Sequence, residues 1–530
     1  MRRLALLLVA LAQVSGAPRF YDDDPIRAEP KPLQVDSALS RKISDYYDFF
    51  LNTLGHPGER HKKDHLIPAQ GINTLGEVPD GPWYANRHYF KRMSVKELVA
   101  GPGNSTPPSM DGQWTVVAAK NEGITPGFTI VDAARRRYIV KFDPSRNPEL
   151  ATSADVISSK FFHALGYHVP ENYIVHFPPD QLRIGEETML TDRLGKQRRM
   201  TQRDVTEILL NVPRSSEGTY RAVASLYLPI KPIGPFRYHS TRSDDPNDIV
   251  PHEHRRDLRG LNVFCAWLAH DDSRAINTLD GLVTENGVQF VKHFLIDFGS
   301  TLGSASNGPN TPRSGPEYLF AWKPAIFQVF TMGLFVPEWA RAKYPDIPSV
   351  GTFEADVFNA ERWVAEYPNP AFSNRLPDDA FWGTRQVMAF TDEEIRAMVR
   401  TGEYSDPEAE KYVADCLIKR RDKIGRAFFS KVLPLDRFRV EDGRLAFDDL
   451  EVQHGFRESR THTVQWSRYD NGSGEKTELP GQTTFTLPQP SPAADYLCAV
   501  IRGEDARKTV TAYLRVRGGK AEVVGLTRTW

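Results

Sequence analysis

Apolar and polar positions alternate with a period of two in three short runs, Trp114–Ala119, Phe128–Val131 and Arg137–Phe142. That period predicts strands. The spacing then changes: with Ser153 as candidate N-cap, Val156, Ile157, Phe161, Phe162 and Leu165 fall on one face and stop at Gly166, which predicts a helix. Asn172–Phe177 reads as a further strand, residues 180–218 as a polar insertion, and Tyr220–Ile230 as strand again. From Asp257 the apolar stripe Leu258, Leu261, Cys265 and Leu268 predicts a helix that runs into His270. Asn277–Phe298 reads as two strands joined at Glu285-Asn-Gly287, a hairpin signal. A Gly-, Ser-, Asn- and Pro-rich segment reaches Pro316, and helices are expected from there to about Val432. One opens on the capping box Thr391–Glu394 and stops near Gly402; another begins at Pro407. About 90 residues of alternating pattern close the chain, which predicts a small β domain.

Pro18–Met110 has no sustained period. It is rich in Pro, Gly, Asp and Arg, with helical patches at Ala38–Leu54 and Ser94–Val99 and a breaker-dense stretch at Gly101–Pro108, and reads as an extension that wraps a domain. Ahead of it, Arg2-Arg3, the apolar run Leu4–Ala12 and the small residues Ser15, Gly16 and Ala17 form a secretory signal pattern with cleavage expected before Ala17. The run is too short for a transmembrane anchor, which needs about 20 apolar residues. The expected location is therefore extracytoplasmic, whether periplasmic, in the cell envelope or secreted, with no membrane span after signal removal.

Composition narrows this picture. With 40% apolar and 25% charged residues the chain is globular, and 67 basic against 68 acidic side chains leave a net charge of −1. That balance removes the general electrostatic argument for a nucleic-acid partner. Cys265, Cys416 and Cys498 are too few and too scattered for a disulfide framework and read as core thiols.

The chemistry-bearing residues lie in three places. Tyr138-Ile-Val-Lys141 ends a strand, His270-Asp-Asp-Ser-Arg-Ala-Ile-Asn277 follows a helix, and Leu295-Ile-Asp-Phe-Gly299 follows the hairpin. Phosphoryl transfer needs a cation on the nucleotide phosphates, oxygen ligands for a bridging divalent metal, and a carboxylate beside the attacking hydroxyl. Lys141, then Asn277 with Asp297, and then Asp272 meet those three needs in turn.

On these motifs the chain resembles the protein-kinase-like superfamily, whose catalytic loop reads H-R-D-x-x-x-x-N and whose metal loop reads D-F-G. His270 stands two residues before Asp272 and Asn277 five after it. Arg274 takes the place where serine/threonine kinases usually carry lysine, and Asp271 replaces the usual arginine. The texture is similar to the divergent secreted and bacterial branches, namely CotH-like, HipA-like and secretory-pathway kinases. The resemblance implies an α+β, bilobal fold with a β-rich N-lobe (114–235) and a helical C-lobe (236–437). Around it stand the signal (1–16), the extension (17–113) and the β domain (438–530). It implies ATP with Mg²⁺ or Mn²⁺ as cofactors, with Gly123 and Gly127 over the phosphates. Lys141 would be paired with Asp155, or alternatively Glu149; Asn277 and Asp297 would hold metal, and Asp272 would be the base with Arg274 beside it. By motif spacing Asp272 is preferred over Asp271, which is expected as the exposed half of the pair. His270 is expected to pack beneath the loop.

Other clusters rank lower. His252-Glu-His254-Arg-Arg256 reads as a solvated basic approach to a helix, with Arg255, Arg256 and Arg259 as candidate contacts for an anionic substrate. Asn104 and Asn471 match the glycosylation acceptor pattern. The expected function is that of an exported phosphotransferase acting on nucleotide and a hydroxyl-bearing acceptor: protein, sugar or small molecule. The alternatives are an inactive kinase-fold binding module at the cell envelope and nucleotidyl transfer on the same scaffold.

Overall fold

The computed structural model describes residues 17–55, 66–103, 106–119, 127–191, 197–321, 326, 330, 336–489 and 495–530. The signal segment, Asn104 and Gly123 lie outside these residues. The chain divides into two compact units. One comprises the described residues up to Ile26, Asn73–Glu77 and Val432–Trp530; the other comprises Arg27–Ile72 and Val78–Lys431.

The larger unit begins with two short helices, α1 (Asp45–Phe50) and α2 (Val95–Ala100), the second closed by a capping box from Ser94. Its main sheet contains β1 (Trp114–Ala119), β2 (Gly127–Val131), β3 (Arg137–Phe142), β4 (Asn172–Phe177), β5 (Leu182–Thr191), β6 (Gln197–Arg199) and β7 (Tyr220–Leu226), in the order β4-β7-β3-β2-β1-β5-β6. The stretch expected as a polar insertion thus extends the sheet, since β5 pairs parallel with β1. Its charged positions escaped a strand reading because Arg183, Glu186 and Glu187 stay in water and break the alternation. Helix α4 (Gln202–Leu209) adds Val205 and Leu209 to the core of Trp114, Val116, Phe128, Ile130, Tyr138, Val140 and Phe142. Alternation along β3 is what places the lysine: Tyr138, Val140 and Phe142 point into that core, so Lys141 points to the other face.

Helix α3 (Leu150–Ala164) packs on β3, β4 and β7. It starts earlier than expected. Ser153 lies inside it and donates to the Gly402 carbonyl, while the N-terminal amides of Ala151 and Thr152 donate to Asp143 at 2.8 and 2.9 Å. A carboxylate just past β3 does the capping from a distance, which local cap rules do not foresee.

Helix α5 (Arg256–Leu268) is buried along its whole length. Its Phe264 and Trp267 join Trp382 of α6 (Pro377–Val387), Phe390 and Phe161 in a second core, which α7 (Asp392–Arg400) and α8 (Pro407–Phe429) complete. The Thr391–Glu394 capping box is formed as expected. The helices expected directly after Pro316 are not found among the described residues from 336 to 369, where Pro337, Pro345 and Pro348 interrupt the backbone and only a short 3₁₀ turn, Glu338–Arg341, forms.

A three-stranded sheet combines β8 (Lys231–Gly234), which precedes α5, with β9 (Thr278–Glu285) and β10 (Val288–Leu295), which follow it. Asn286 and Gly287 at the β9–β10 turn have φ of 50° and 77°, the left-handed pair that a tight hairpin requires.

In the smaller unit, β11 (Leu435–Glu441) pairs with β12 (Arg444–Asp449). The strands β13 (Thr463–Tyr469), β14 (Lys476–Glu478), β15 (Tyr496–Arg502), β16 (Thr509–Arg517) and β17 (Lys520–Thr529) form a sheet in the order β14-β13-β15-β16-β17. Trp466, Leu497, Ile501, Val510 and Leu514 fill one side of it. On the other side Phe20, 2% exposed, packs among Tyr469, Tyr496 and Tyr513. Asn471 holds the Phe20 backbone in both directions, accepting from its amide at 2.9 Å and donating to its carbonyl at 2.7 Å. Arg515 donates to the carbonyls of Tyr21 and Asp24. The Asn471 amide is therefore committed to the chain and is not presented as a glycan acceptor. Phe20→Ala should cost the unit about 3 kcal/mol, read as an earlier denaturant midpoint for the β-sheet signal; an unchanged midpoint would show that this contact contributes nothing. All three cysteines are free and buried, as expected of core thiols.

Candidate functional site

Lys141 meets two carboxylates. Its Nζ donates to Asp155 Oδ2 at 2.7 Å and to Asp297 Oδ1 at 2.9 Å. The lysine and Asp155 side chains are 13% and 2% exposed, Asp297 is 41% exposed. Asp155 comes from the helix face turned to the sheet and is held further by Asn172 Nδ2 at 2.8 Å and by the Phe298 amide. Burial alone would lower the ammonium pKa, yet Asp155 and Asp297 together hold Lys141 well above its ordinary value. Burial pushes Asp155 up against the attraction of Lys141, an opposite tendency. The short contact and the two further donors to Asp155 support the ionised pair. Of the two acidic residues weighed as partners of Lys141, Asp155 is the one beside it. Glu149 instead faces Arg221 at 3.8 Å and accepts from the Ser405 amide.

The β9–β10 hairpin brings the other acidic motifs together. Thr278 is paired with Leu295, and the Ile296 amide donates to the Asn277 carbonyl at 3.0 Å. Asn277 therefore lies across from the residue preceding Asp297, and the twenty positions that separate them in sequence become one step across the ladder. Asn277 Nδ2 donates to the Asp272 carbonyl at 2.7 Å, which ties the two ends of the 272–277 loop. Asp297 itself sits at φ 61°, a left-handed backbone that aims its carboxylate away from the strand it leaves.

His270 is buried between Phe162 and Phe298, which stack at 5.0 Å. Burial pushes its imidazole down to about 4, so at neutral pH it is uncharged and its Nδ1 faces the Ser300 carbonyl at 3.4 Å. It packs beneath the loop, as expected.

Asp272 makes a direct ion pair with Arg274, which also reaches Asp45 of α1 at 3.0 Å and Glu366 at 3.1 Å. Burial pushes the Asp272 carboxyl up to about 7, with Arg274 opposing and Asp271 and Glu366 adding to the rise. Arg274, in spite of burial, is held above its ordinary value by Asp272, Glu366 and Asp45. The two directions compete; with three carboxylates around one guanidinium, the arginine is charged and Asp272 is the group with a proton to exchange. Asp271 is not the exposed half of the pair. It is 7% exposed, accepts from Asn310 Nδ2 at 3.0 Å, and is pushed up to about 6 by burial.

Gly127 opens β2 directly across from Lys141, and Gly123 falls outside the described residues. The cluster at the start of α5 is not a solvated basic face. His252 is buried between the Arg237 carbonyl and Asp248, while Arg255 pairs with Asp257, Arg256 with Asp378 and Asp379, and Arg259 with Asp379. Those arginines hold α5 to α6 and to the extension, and they contact no open surface that would serve an anionic substrate.

Several partners of the site were not legible in the sequence. Asn172, Asp45, Glu366 and Asn310 come from a strand start, the extension and two loops, and no period or motif marks them. Asp48 belongs with them: it is buried, accepts from Tyr367 Oη at 2.7 Å, and lies 3.4 Å from the Ala275 amide. Helix α1 of the extension is thereby packed against the 270–277 loop.

Lys141 meets Asp155 and Asp297, and the β9–β10 hairpin joins Asp297 to the 270–277 loop. Three solved kinase structures resemble this chain. The Helicobacter pylori proinflammatory kinase CtkA does so with a TM-score of 0.30 and 10% identity, covering 58% of this chain and 97% of that one. The Golgi casein kinase with Mn/ADP bound gives 0.30 and 8%, covering 64% and 77%, and a second structure of that kinase gives 0.31 and 8%, covering 66% and 84%. No family model and no curated protein matches the sequence. The larger unit is an α+β fold, and the roles of its residues rest on their own geometry.

Proposed function

We propose that the protein is an exported phosphotransferase that uses ATP with Mg²⁺ or Mn²⁺ to phosphorylate a hydroxyl acceptor. The observation that carries this reading is the convergence of Lys141, Asp155 and Asp297, with Asn277 fixed beside Asp297 by the Ile296 amide.

The donor chemistry fits a hard cation. Asn277 spends its Nδ2 on the Asp272 carbonyl, so its Oδ1 is the atom it offers, and Asp297 offers a partly exposed carboxylate. Among the described residues no group of three or more His, Cys, Asp or Glu forms a closed metal cage, so the remaining ligands would be phosphate oxygens and water. A bound divalent ion would supply charge neutralisation on the β and γ phosphates. Lys141, oriented by Asp155, would hold the nucleotide phosphates. Asp272, with its pKa near neutrality, would orient the acceptor hydroxyl and take its proton, and Arg274 would steady the carboxylate.

A second reading, a kinase-fold binding module, is favoured by one observation: Lys141 and Arg274 already hold Asp297 and Asp272, and the cavity beside Lys141 is only about 10 Å³. Thermal melting separates the two. Mg²⁺ with ATP should raise the melting temperature by several degrees, about 3 kcal/mol of apparent stabilisation at a hundredfold excess over Kd, and the rise should vanish in Asp297→Asn. No shift with any nucleotide and divalent ion would rule out the transferase reading. Radiolabel from the γ position appearing in an acceptor, rather than from the α position, excludes nucleotidyl transfer.

Export rests on the Arg2-Arg3 and Leu4–Ala12 pattern. Mass analysis of protein recovered outside the cytoplasm should show a chain beginning at Ala17, three residues before the anchored Phe20.

A further inference from the structure

A cavity of about 340 Å³ lies apart from Lys141, between the extension and the segment that follows β8. Arg41, Lys42, Arg237 and His239 line it, and no carboxylate does. Among the described residues no acidic side chain pairs with Lys42 or Arg237. Arg41 keeps a long contact to Asp244 at 3.4 Å, and burial, with Arg242 and Arg237 close by, pushes its guanidinium down from its ordinary value. Cations crowded without matching anions are costly unless an anion joins them.

The acids of this region are engaged by other groups, and Asp244 also reaches a cavity residue, Arg41. Arg242, fully buried, takes Asp244 at 3.0 Å and Asp280 at 3.1 Å, and Asp248 accepts from the Arg242 amide and from His252. Glu253 accepts from the Ser240 amide at 2.6 Å. This scaffold pins the 239–243 turn, and Ser240, Thr241 and Ser243 of that turn line the cavity. Guanidinium and ammonium groups suit phosphate oxygens, and neighbouring hydroxyls suit a polyol. The volume suits a small metabolite and not a macromolecule.

The site also adjoins the catalytic loop. Tyr238, between Arg237 and His239, reaches Ser273 Oγ at 3.3 Å, and Asp45, three residues beyond Lys42, reaches Arg274.

We propose that this cavity is a binding site for a small phosphorylated polyol, such as a sugar phosphate, distinct from the nucleotide site. It goes beyond the phosphotransferase reading and does not need it. Calorimetric titration of the full chain, without nucleotide, with glucose 6-phosphate and with inorganic pyrophosphate as probes tests it. Saturable binding of the sugar phosphate is expected, weakened about tenfold or more in the Lys42→Ala/Arg237→Ala double variant and unchanged in Lys141→Ala. Lys42 is exposed, so Lys42→Glu alone gives a second variant in which folding is not at stake. No saturable binding, equal binding by both cavity variants, loss in Lys141→Ala, or binding of pyrophosphate alone would each overturn the proposal. ATP titrated on the same samples reports the nucleotide site separately, so failure of one leaves the other standing.

Discussion

Asp272→Asn is expected to lower phosphoryl transfer by about 10²–10⁴-fold while ATP affinity stays nearly unchanged. The substitution keeps the shape of the side chain and a partner for Arg274, and removes only the carboxylate proposed to accept the proton. It leaves Lys141, Asn277 and Asp297 in place. The wild-type pH profile should carry the same signature. Burial holds the Asp272 carboxyl up at about 7, so the rate should fall roughly tenfold per unit as the pH drops below that value. Stability should run the other way. A carboxyl whose folded pKa is raised favours the fold in its protonated form, so its contribution is complete below the ordinary carboxylate range and is lost as the pH rises through about 7. Asp272→Asn should therefore be no less stable than the parent at pH 8, despite its lost activity. Initial rates across the neutral range and melting curves at both ends check this. An active Asp272→Asn protein, or a flat acidic limb in the parent, would remove Asp272 from the role of base.

The sequence pattern carried the elements that have a clear period and the residues that have fixed spacing. Lys141 could be read because a strand's alternation fixes its face, and the Asn277–Asp297 juxtaposition because Glu285-Asn-Gly287 closes a hairpin in a defined register. Asp155 could be read as a partner from its place on the first turns of a helix that follows the lysine strand. What escaped was set by tertiary structure. Strand β5 sets Leu182, Ile184 and Leu190 on the core but keeps Arg183, Glu186, Glu187 and Met189 exposed, so no clean alternation marks it. The arginines at the start of α5 look solvated in sequence because their partners Asp378 and Asp379 are more than a hundred residues away. Asp45 and Asp48 meet the 270–277 loop only because the extension folds back across it, and a contact over 220 residues leaves no local trace.

Asp155→Ala should be the most damaging single change in the site, costing about 3–5 kcal/mol of stability together with most of the nucleotide affinity. The carboxylate is 2% exposed and accepts from three donors, Lys141 Nζ, Asn172 Nδ2 and the Phe298 amide. Removing it leaves two buried donors without an acceptor and half the compensation of a buried ammonium. Lys141 then has Asp297 alone, and the stronger that remaining pair, the less free Asp297 is to meet a cation. Affinity should thus fall for a reason separate from stability. Lys141→Met tests that separation: it removes the charge that Asp155 compensates and, with it, the proposed phosphate contact. In the double variant Asp155→Ala/Lys141→Met the stability loss should therefore be smaller than the sum of the two single losses, by 1 kcal/mol or more on a scale where coupled neighbours show about 0.5–3 kcal/mol. Chemical denaturation of the four proteins in the cycle gives that coupling directly. Simple additivity would mean that Lys141 and Asp155 are neighbours without an energetic bond, and that the lysine is oriented by Asp297 alone.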